Sequence, residues 1–284
     1  MIDKKLVTLL HEFKQIGLTS MGGVTRCVYD DNWTFAQKKY VEIANDYGLY
    51  CFCDKMGTIY AATSDYISHK SVILTGSHMD TVVNGGWLDG IYGILSSVLA
   101  VGQLFQKFGA PKISLCAVSF SEEEGSRFDS TFTGSRYLMN QLASDVFDLK
   151  DSTGITFDEE RQKRVTELSQ VTPIRISDFK IRSYIELHIE QGNLLEQSHT
   201  DIAVVTDIVG QKRLLITTNG ISNHAGTTQM LGRADAMQKA VELMTQIYAS
   251  LGMMKGLRFT IGKITAFPNV ANVIPEKVDI TLDI

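Results

Sequence analysis

The segment Ser71–Asp89, SVILTGSHMDTVVNGGWLD, carries a short apolar stretch directly into a histidine and an aspartate, and a glycine-rich turn then leads to a second aspartate. Ser71–Thr75 has the apolar, β-branched character of a buried strand in a parallel sheet, and Gly76 is predicted to end it. Ligands of open α/β sheets bind at the carboxyl ends of such strands. His78 and Asp80 are therefore predicted to lie at the functional edge of a sheet.

Asp89 lies between a turn and an apolar segment. Residues 84–86, Asn-Gly-Gly, are typical of a turn, and residues 90–108 repeat apolar side chains at the spacing of a buried helix. Asp89 is thus predicted near a helix N-terminus, facing back toward the strand end. Because a lone His-x-Asp is common by chance, a metal site here needs support from elsewhere in the chain.

Further predicted strands also end in residues that bind metals. Lys112–Phe120 is apolar and runs into the acidic triplet Glu122–Glu124. An acidic run is usually a solvated surface, but directly after a buried strand its mutual repulsion would be costly without cations. Ser183–Ile189 carries His188, for which a satisfied core histidine is the alternative interpretation. Together these segments predict a metal site at one sheet edge.

In this order, the motifs resemble the metal-dependent amidohydrolases of the M20 peptidase family, in the branch of the allantoate amidohydrolases and N-carbamoyl-L-amino-acid hydrolases. The resemblance rests on GSHMDTVVNGGWLDG, EEEGSRF, ELHIEQG, IVGQKR, NHAGTT and NVANVIP. TVVNGG and VGQKR are more like the allantoate enzymes than the carbamoylases. The resemblance implies hydrolysis of a ureido C–N bond, most simply that of allantoate, giving a ureidoglycine- or ureidoglycolate-type product with ammonia and CO2.

The resemblance also implies a pair of divalent ions and a set of ligands for them. Asp89 would bridge the two ions, and Glu124 would hold one of them. His78 and His188 would complete the shell of the other. Histidine and carboxylate ligands suit zinc and manganese alike, so the choice of metal stays open.

Two acidic residues would act beside the ions rather than bind them. Asp80 would accept a hydrogen bond from the second ring nitrogen of His78 and fix its tautomer. Glu123 would be the general base, because its neighbour stays ionised on a metal while Glu123 remains free to move a proton. Glu122 is assigned a supporting or surface position.

Four polar residues would contact the substrate in members of this family, and here they are Gln191, Gln211, His224 and Asn272. His224 is expected to donate to the developing oxyanion, and Asn272 is expected to anchor a carboxylate or ureido group. In the family such residues reach the active site of the partner subunit. A homodimer that binds a small ureido substrate is therefore implied.

The chain changes character at residues 209–210. Residues 1–208 are predicted to form the metal-binding catalytic domain, a mixed, mostly parallel α/β sheet flanked by helices. Residues 209–284 follow a strand–helix–strand–strand order, which resembles the smaller α+β lid and dimerisation domain that this family inserts into its catalytic domain. Family members then return to deliver one more histidine ligand. We therefore expect a C-terminally truncated chain with an incomplete second metal site and no activity of its own.

The composition of the chain argues against several other classes of protein. A net charge of −5 leaves no basic surface for nucleic acid or an acidic membrane. The start, MIDKKLVTLL, lacks a signal core, residues 91–102 are too interrupted by serine and glycine to span a bilayer, and the four cysteines do not suggest a disulfide framework. A cytoplasmic enzyme is expected. An N-carbamoyl-L-amino-acid hydrolase remains open, and so does a catalytically silent truncated homologue that binds a ligand.

Overall fold

The computed structural model describes residues 2–65, 67, 69–175 and 178–284. The chain divides into two compact units, unit 1 (Met1–Ser198) and unit 2 (His199–Ile284). This division falls earlier in the chain than the change of character at residues 209–210 in the sequence.

Unit 1 is built on a five-stranded sheet with the strand order β1-β2-β4-β3-β5. Its strands are β1 (Tyr50–Cys53), β2 (Ile59–Ala62), β3 (Ser71–His78), β4 (Ser114–Phe120) and β5 (Lys180–Ile185). Neighbours among β1, β2 and β4 pair antiparallel, whereas β3 lies parallel to both β4 and β5. The mixed α/β class is confirmed, with parallel pairing confined to one half of the sheet.

The longer helices of unit 1 bury apolar side chains. The helices are α1 (Ile2–Lys14), α2 (Asp31–Asp46), α3 (Ile91–Phe108), α4 (Thr133–Leu138), α5 (Phe157–Leu168) and α6 (Leu194–Gln197), with a 3₁₀ turn at Ser144–Asp148. By length and composition α3 could cross a membrane, and it runs further than the stretch 91–102 considered in the sequence. Half of it is buried inside the structure, and its Ile91, Ile94 and Leu95 are fully enclosed. Helix α3 therefore packs as a core helix does.

Strands β3 and β5 differ from the prediction in opposite ways. β3 continues through Gly76 to His78. At position 76 the two strands lie so close that a Cβ would be 2.0 Å from the carbonyl oxygen of Val118 on β4. Glycine thus allows the two strands to pair closely instead of ending β3. β5 ends at Ile185, so His188 follows the strand rather than lying within it.

A fully buried tryptophan connects helix α2 to the end of β4. Asp30 caps α2 by accepting from the backbone N–H of Trp33. The indole Nε1 of Trp33 donates to the carbonyl oxygen of Ser121 at 2.8 Å. Ser121 directly precedes the glutamate triplet, so the core holds the start of that segment in place.

Unit 2 is a three-stranded antiparallel sheet of order β6-β10-β8 with one helix packed on it, plus a separate two-stranded ladder. Its elements are β6 (Arg213–Asn219), β7 (Asn223–His224), α7 (Ala236–Leu251), β8 (Thr260–Phe267), β9 (Val273–Ile274) and β10 (Lys277–Asp283). The buried hydrophobic cluster between this helix and the sheet is small and consists of Ala236, Ala240, Val278 and Ile280. The strand–helix–strand–strand order is present. The β7–β9 ladder was not predicted, because two-residue strands carry no periodicity.

Candidate metal centre

His78, the last residue of β3, is only 4% exposed. Its ring Nδ1 lies 3.0 Å from the backbone carbonyl oxygen of Asp80. A carbonyl oxygen can only accept, so Nδ1 carries a proton and donates it. The other ring nitrogen, Nε2, faces Asp89 and lies 3.8 Å from its Oδ1. Nε2 is therefore the nitrogen that His78 offers to a metal.

His188 presents the same nitrogen from the segment after β5. Its Nδ1 donates to the carbonyl oxygen of Ile189 at 2.8 Å. Its Nε2 lies 3.2 Å from Oδ1 of Asp89. One imidazole nitrogen from the end of β3 and one from the segment after β5 thus converge on one carboxylate oxygen.

Asp89 is brought to this point by the glycine that follows it. Gly90 has φ +66° and precedes α3, and a Cβ there would lie 2.2 Å from the carbonyl oxygen of His78. Glycine is therefore required for the close approach of the start of α3 to the end of β3. The Asp-Gly pair fixes Asp89 against His78.

The surroundings of Asp89 fit a divalent cation. Within the part of the chain that the structure describes, its buried Oδ1 makes no hydrogen bond, although the two imidazoles lie beside it. Those imidazoles, of His188 first and His78 second, hold the pKa of the Asp89 carboxyl well below its usual range. One ligand atom from each of the three residues lies within 4.8 Å of the others. An ionised oxygen without a hydrogen bond, beside two imidazole nitrogens that offer lone pairs, is an arrangement that a metal ion would satisfy.

A second group of potential ligands shares His78 with the first. It adds Glu123 and Glu124, again with ligand atoms within 4.8 Å of one another. Burial raises the pKa of Glu124 to about 7, and neighbouring carboxylates, Glu123 first, contribute to the shift. Burial also raises the pKa of Glu123. A cation would relieve this repulsion, so the second group fits a metal as well.

Asp80 is fully buried and contacts both the glutamate pair, Glu123 and Glu124, and His78. Its Oδ1 accepts the backbone N–H of Glu123 at 2.9 Å, and its Oδ2 accepts that of Glu124 at 3.0 Å. The carboxylate lies 3.4 Å from His78 Nδ1, whereas the Asp80 carbonyl oxygen lies closer, at 3.0 Å. The main chain of Asp80 thus makes the shorter contact to the ring, and its side chain fixes the backbone of the glutamate pair.

Glu122 is buried, so of the two positions that the sequence allowed, supporting or surface, it does not occupy the surface one. It is 1% exposed, and its Oε2 accepts a hydrogen bond from the hydroxyl of Thr133 at the start of α4. Burial raises its pKa well above the usual range. Glu122 belongs to neither ligand group, so its contribution is to packing and hydrogen bonding beneath the triplet.

The predicted substrate residues are distributed over both units. Gln191, in unit 1, donates from Nε2 to Oδ2 of Asp89 at 2.6 Å and so lies at the metal centre. In unit 2 the β7–β9 ladder brings His224 and Asn272 together, because the backbone N–H of Ala225 donates to the Asn272 carbonyl oxygen at 2.9 Å. Gln211 precedes β6, at the opposite end from β7, and donates to Asp283 at 3.0 Å.

His224 has a defined tautomer. Its Nδ1 accepts the backbone N–H of Gly226 at 3.1 Å, so the ring proton lies on Nε2. Both His224 and Asn272 are exposed. The ladder therefore brings the backbones of these two exposed residues close together on the surface of unit 2.

Sequence analysis missed one buried residue next to the centre. Arg26 is 1% exposed, and its Nε donates to the carbonyl oxygen of Met79, between His78 and Asp80. The available signal was a single arginine inside the apolar stretch VTRCVY. Such a residue lacks periodicity, and its partners come from distant parts of the chain.

Comparison with known proteins places these residues in a family context. The sequence profile of peptidase family M20/M25/M40 matches residues 74–281. An allantoate amidohydrolase of Bacillus subtilis is 41% identical over 287 residues, which cover 100% of this chain and 69% of that protein. An N-carbamoyl-L-amino acid amidohydrolase of Geobacillus stearothermophilus is 29% identical over 281 residues, covering 99% of this chain and 69% of that protein.

A solved structure extends the comparison to the fold. The crystal structure of an amidase of the hydantoinase/carbamoylase family from Burkholderia vietnamiensis matches with a TM-score of 0.85 at 30% identity, covering 99% of this chain and 67% of that one. The chain thus spans about two thirds of the length of these relatives. On the profile match and on these similarities, the chain belongs to peptidase family M20/M25/M40.

Proposed function

We propose that this protein is a cytoplasmic, homodimeric amidohydrolase that uses two divalent ions, zinc or manganese, to hydrolyse a ureido C–N bond of allantoate. The observation that carries the proposal is the buried Oδ1 of Asp89, which makes no hydrogen bond to any described residue and lies between the Nε2 atoms of His78 and His188. The 41% identity to an allantoate amidohydrolase, against 29% to a carbamoylase, supports the choice of substrate.

In this proposal the ligand atoms of unit 1 hold the ions. His78, His188 and Asp89 would bind one ion, and Asp89 and Glu124 would contribute to the site of the other. When bound, such ions lower the pKa of an attacking water from about 15.7 toward about 7 and stabilise the negative charge of the tetrahedral oxyanion. The Nδ1 hydrogen bonds of both histidines keep their Nε2 atoms directed at the site.

Glu123 would transfer the proton. It removes a proton from the attacking water as the new C–O bond forms, and it passes that proton to the terminal ureido nitrogen as the C–N bond breaks. Ammonia leaves, and the remaining carbamic acid loses CO2 as its acidic proton moves to the nitrogen, which gives a ureidoglycine-type product. Asp80 holds the backbone of Glu123, so the carboxylate works from a fixed position.

Residues of unit 2 would recognise the substrate. The protonated Nε2 of His224 suits a donor to the developing oxyanion. Asn272 and Gln211 offer amides that can pair with a carboxylate or a ureido group, and in unit 1 Gln191 can do the same. A homodimer is proposed because lid residues of this kind reach the active site of the partner subunit.

An N-carbamoyl-L-amino-acid hydrolase is the second candidate, since the Geobacillus stearothermophilus relative matches 99% of this chain. Its substrates share with allantoate a ureido group and a carboxylate, but they lack the second ureido arm. The centre in unit 1 would serve either substrate. The difference therefore lies in substrate recognition and not in the chemistry.

The two candidates are separated by their relative kcat/KM values. Ammonia release is measured from allantoate and from a series of N-carbamoyl-L-amino acids, using zinc- or manganese-loaded enzyme that also carries the further histidine ligand expected for the second metal site. We expect allantoate to have the higher kcat/KM. The reverse ranking would assign the protein to the carbamoylases, and turnover of neither substrate would contradict ureido hydrolysis.

A further inference from the structure

Arg26 is a buried cation with no carboxylate at ion-pair distance among the residues that the structure describes. It is 1% exposed, and among the described residues its Nη2 has no hydrogen-bond partner. Burial lowers the pKa of Arg26 to about 10, and the negative charges of Asp80 and Asp30 oppose that shift. The guanidinium therefore stays charged at neutral pH. Burying a charge in this way is costly, so the contacts it makes must compensate.

The first set of contacts reaches the segment between the metal ligand and the aspartate. Nε of Arg26 donates to the carbonyl oxygen of Met79 at 2.8 Å. The backbone N–H of Arg26 donates to the hydroxyl of Thr81 at 2.9 Å, and the N–H of Thr81 donates back to the Arg26 carbonyl oxygen at 3.0 Å. Arg26 thus holds both sides of Asp80 through its neighbours.

The second set of contacts fixes the guanidinium itself. Nη1 donates to the carbonyl oxygens of Phe13 at 3.4 Å and Ile16 at 3.2 Å. These carbonyls lie at the C-terminal end of α1, where the helix dipole is negative and favours a cation. One planar side chain therefore connects the end of α1 to the end of β3.

Arg164 provides a contrast within the same unit. It is 8% exposed, and its Nε also donates to a backbone carbonyl oxygen, that of Tyr29, at 2.9 Å. Its remaining nitrogens lie at 2.6 Å from Asp31 and 3.2 Å from Glu167. No described carboxylate lies at ion-pair distance from Arg26. Arg164 is a structural ion-pair residue, whereas the charge of Arg26 has only backbone partners next to the metal centre.

We propose that Arg26 is a positioning residue of the metal centre. By holding Met79 and Thr81, it sets Asp80 so that the Asp80 carbonyl oxygen meets His78 Nδ1 and the Asp80 carboxylate meets the amides of Glu123 and Glu124. The inference rests on the proposed function, in that the residues so positioned are its metal ligand and its base.

The test compares the Arg26→Met and Arg26→Lys variants with Arg164→Met, all in the full chain. The first measurement is hydrogen exchange of the Glu123 and Glu124 amides in metal-free protein, because these amides donate to Asp80. We expect their protection to fall at least about tenfold in Arg26→Met and to remain near the wild-type value in Arg164→Met.

The second measurement is the affinity for zinc, determined by competition with a chromophoric chelator. Loss of a group that orients a metal ligand typically lowers affinity by about 10- to 100-fold, and we expect this range for Arg26→Met. Arg26→Lys keeps the charge but cannot reach Met79 and the α1 carbonyls together, so we expect an intermediate loss. Arg164→Met should lower the melting temperature without changing zinc affinity by more than about twofold.

The possible results distinguish a failure of the Arg26 proposal from a failure of the proposed metal-dependent function. Wild-type exchange and affinity in Arg26→Met would overturn the inference, as would equal losses in Arg164→Met. If Arg26→Met does not fold, Arg26→Lys decides, and wild-type behaviour of that variant overturns the proposal. If the wild-type protein binds no divalent metal, the proposed function fails, while amide exchange still tests the positioning by Arg26.

Discussion

The two units of the chain place their functional residues in opposite surroundings. In unit 1, His78 is 4% exposed and Asp80 is fully buried beneath a core that contains Trp33. In unit 2, His224 and Asn272 are exposed on a two-residue ladder beside a small core. His78 and Asp80 of unit 1 are held in buried hydrogen bonds, although His188 of that unit is exposed, whereas His224 and Asn272 of unit 2 are open to solvent.

This difference indicates how each region obtains its specificity. Buried polar groups must be satisfied, so their arrangement in unit 1 is built before any substrate arrives. Exposed groups gain a defined environment only when a ligand or a partner covers them. Changes in unit 1 should therefore alter metal content or the chemical step, whereas changes in unit 2 should alter substrate use and leave metal content intact.

Metal removal should have the largest effect, and it should be confined to unit 1. In enzyme with a complete second metal site, which is also the background for the variants below, a chelator should reduce ammonia release to the rate of the buffer blank, and added zinc or manganese should restore it. A metal at 100 times its Kd stabilises the native state by about 2.7 kcal/mol. Hydrogen exchange should therefore slow on metal addition in peptides around Asp89 and not in those of unit 2. Equal slowing of hydrogen exchange in both units would contradict the expected difference between them.

Glu123→Gln should lower kcat by about 10³-fold, because the amide cannot accept the proton of the attacking water. Zinc content, measured by elemental analysis, should stay at the wild-type level. Glu122→Gln is the matched control within the triplet. Since Glu122 belongs to neither ligand group, its substitution should lower kcat by less than about tenfold. Loss of zinc in Glu123→Gln would instead indicate that Glu123 is a ligand.

His224→Ala should lower kcat by about 10²-fold by removing a donor to the oxyanion. If unit 2 does not hold the metal, zinc content and hydrogen exchange of the Glu123 amide should remain unchanged in His224→Ala. His199→Ala, at another exposed histidine of unit 2, is the control and should retain wild-type turnover. Metal loss in His224→Ala would show that the exposed residues of unit 2 belong to the metal site.

Asn272→Ala should have the smallest effect, an increase in KM of about tenfold with little change in kcat. The reason is the loss of a hydrogen bond to a charged or strongly polar substrate group, about 1.4 kcal/mol. Steady-state kinetics with allantoate measure this directly. A fall in kcat without a change in KM would mean that Asn272 acts in the chemical step rather than in binding.

Much of unit 1 could be predicted because its candidate ligands follow strands that the hydrophobic pattern reveals. The motif around His78 and the glutamate triplet both stand next to apolar, β-branched runs, so their convergence follows from sheet geometry. The end of β3 was missed, because the contact between Gly76 and Val118 is a tertiary one. The burial of Glu122 likewise depends on Thr133 of a separate helix.

Unit 2 was predictable in its longer elements and not in its ladder. Helix α7 and β10 have enough residues for a period to be recognised, whereas β7 and β9 have two each. The proximity of His224 and Asn272 follows from that ladder and not from any local pattern. Arg26 was missed for a related reason, since its partners are backbone carbonyls that a sequence does not display.

The way in which Asp80 holds the glutamate pair bears on how such a site can diverge. Its two carboxylate oxygens accept main-chain amides, and those amides are the same for every residue other than proline. The side chains at positions 123 and 124 can therefore be exchanged by mutation without loosening the tether that orients them. Position 80, by contrast, has no comparable freedom. An evolving lineage could thus sample new reactions by changing the pair while inheriting its placement unchanged.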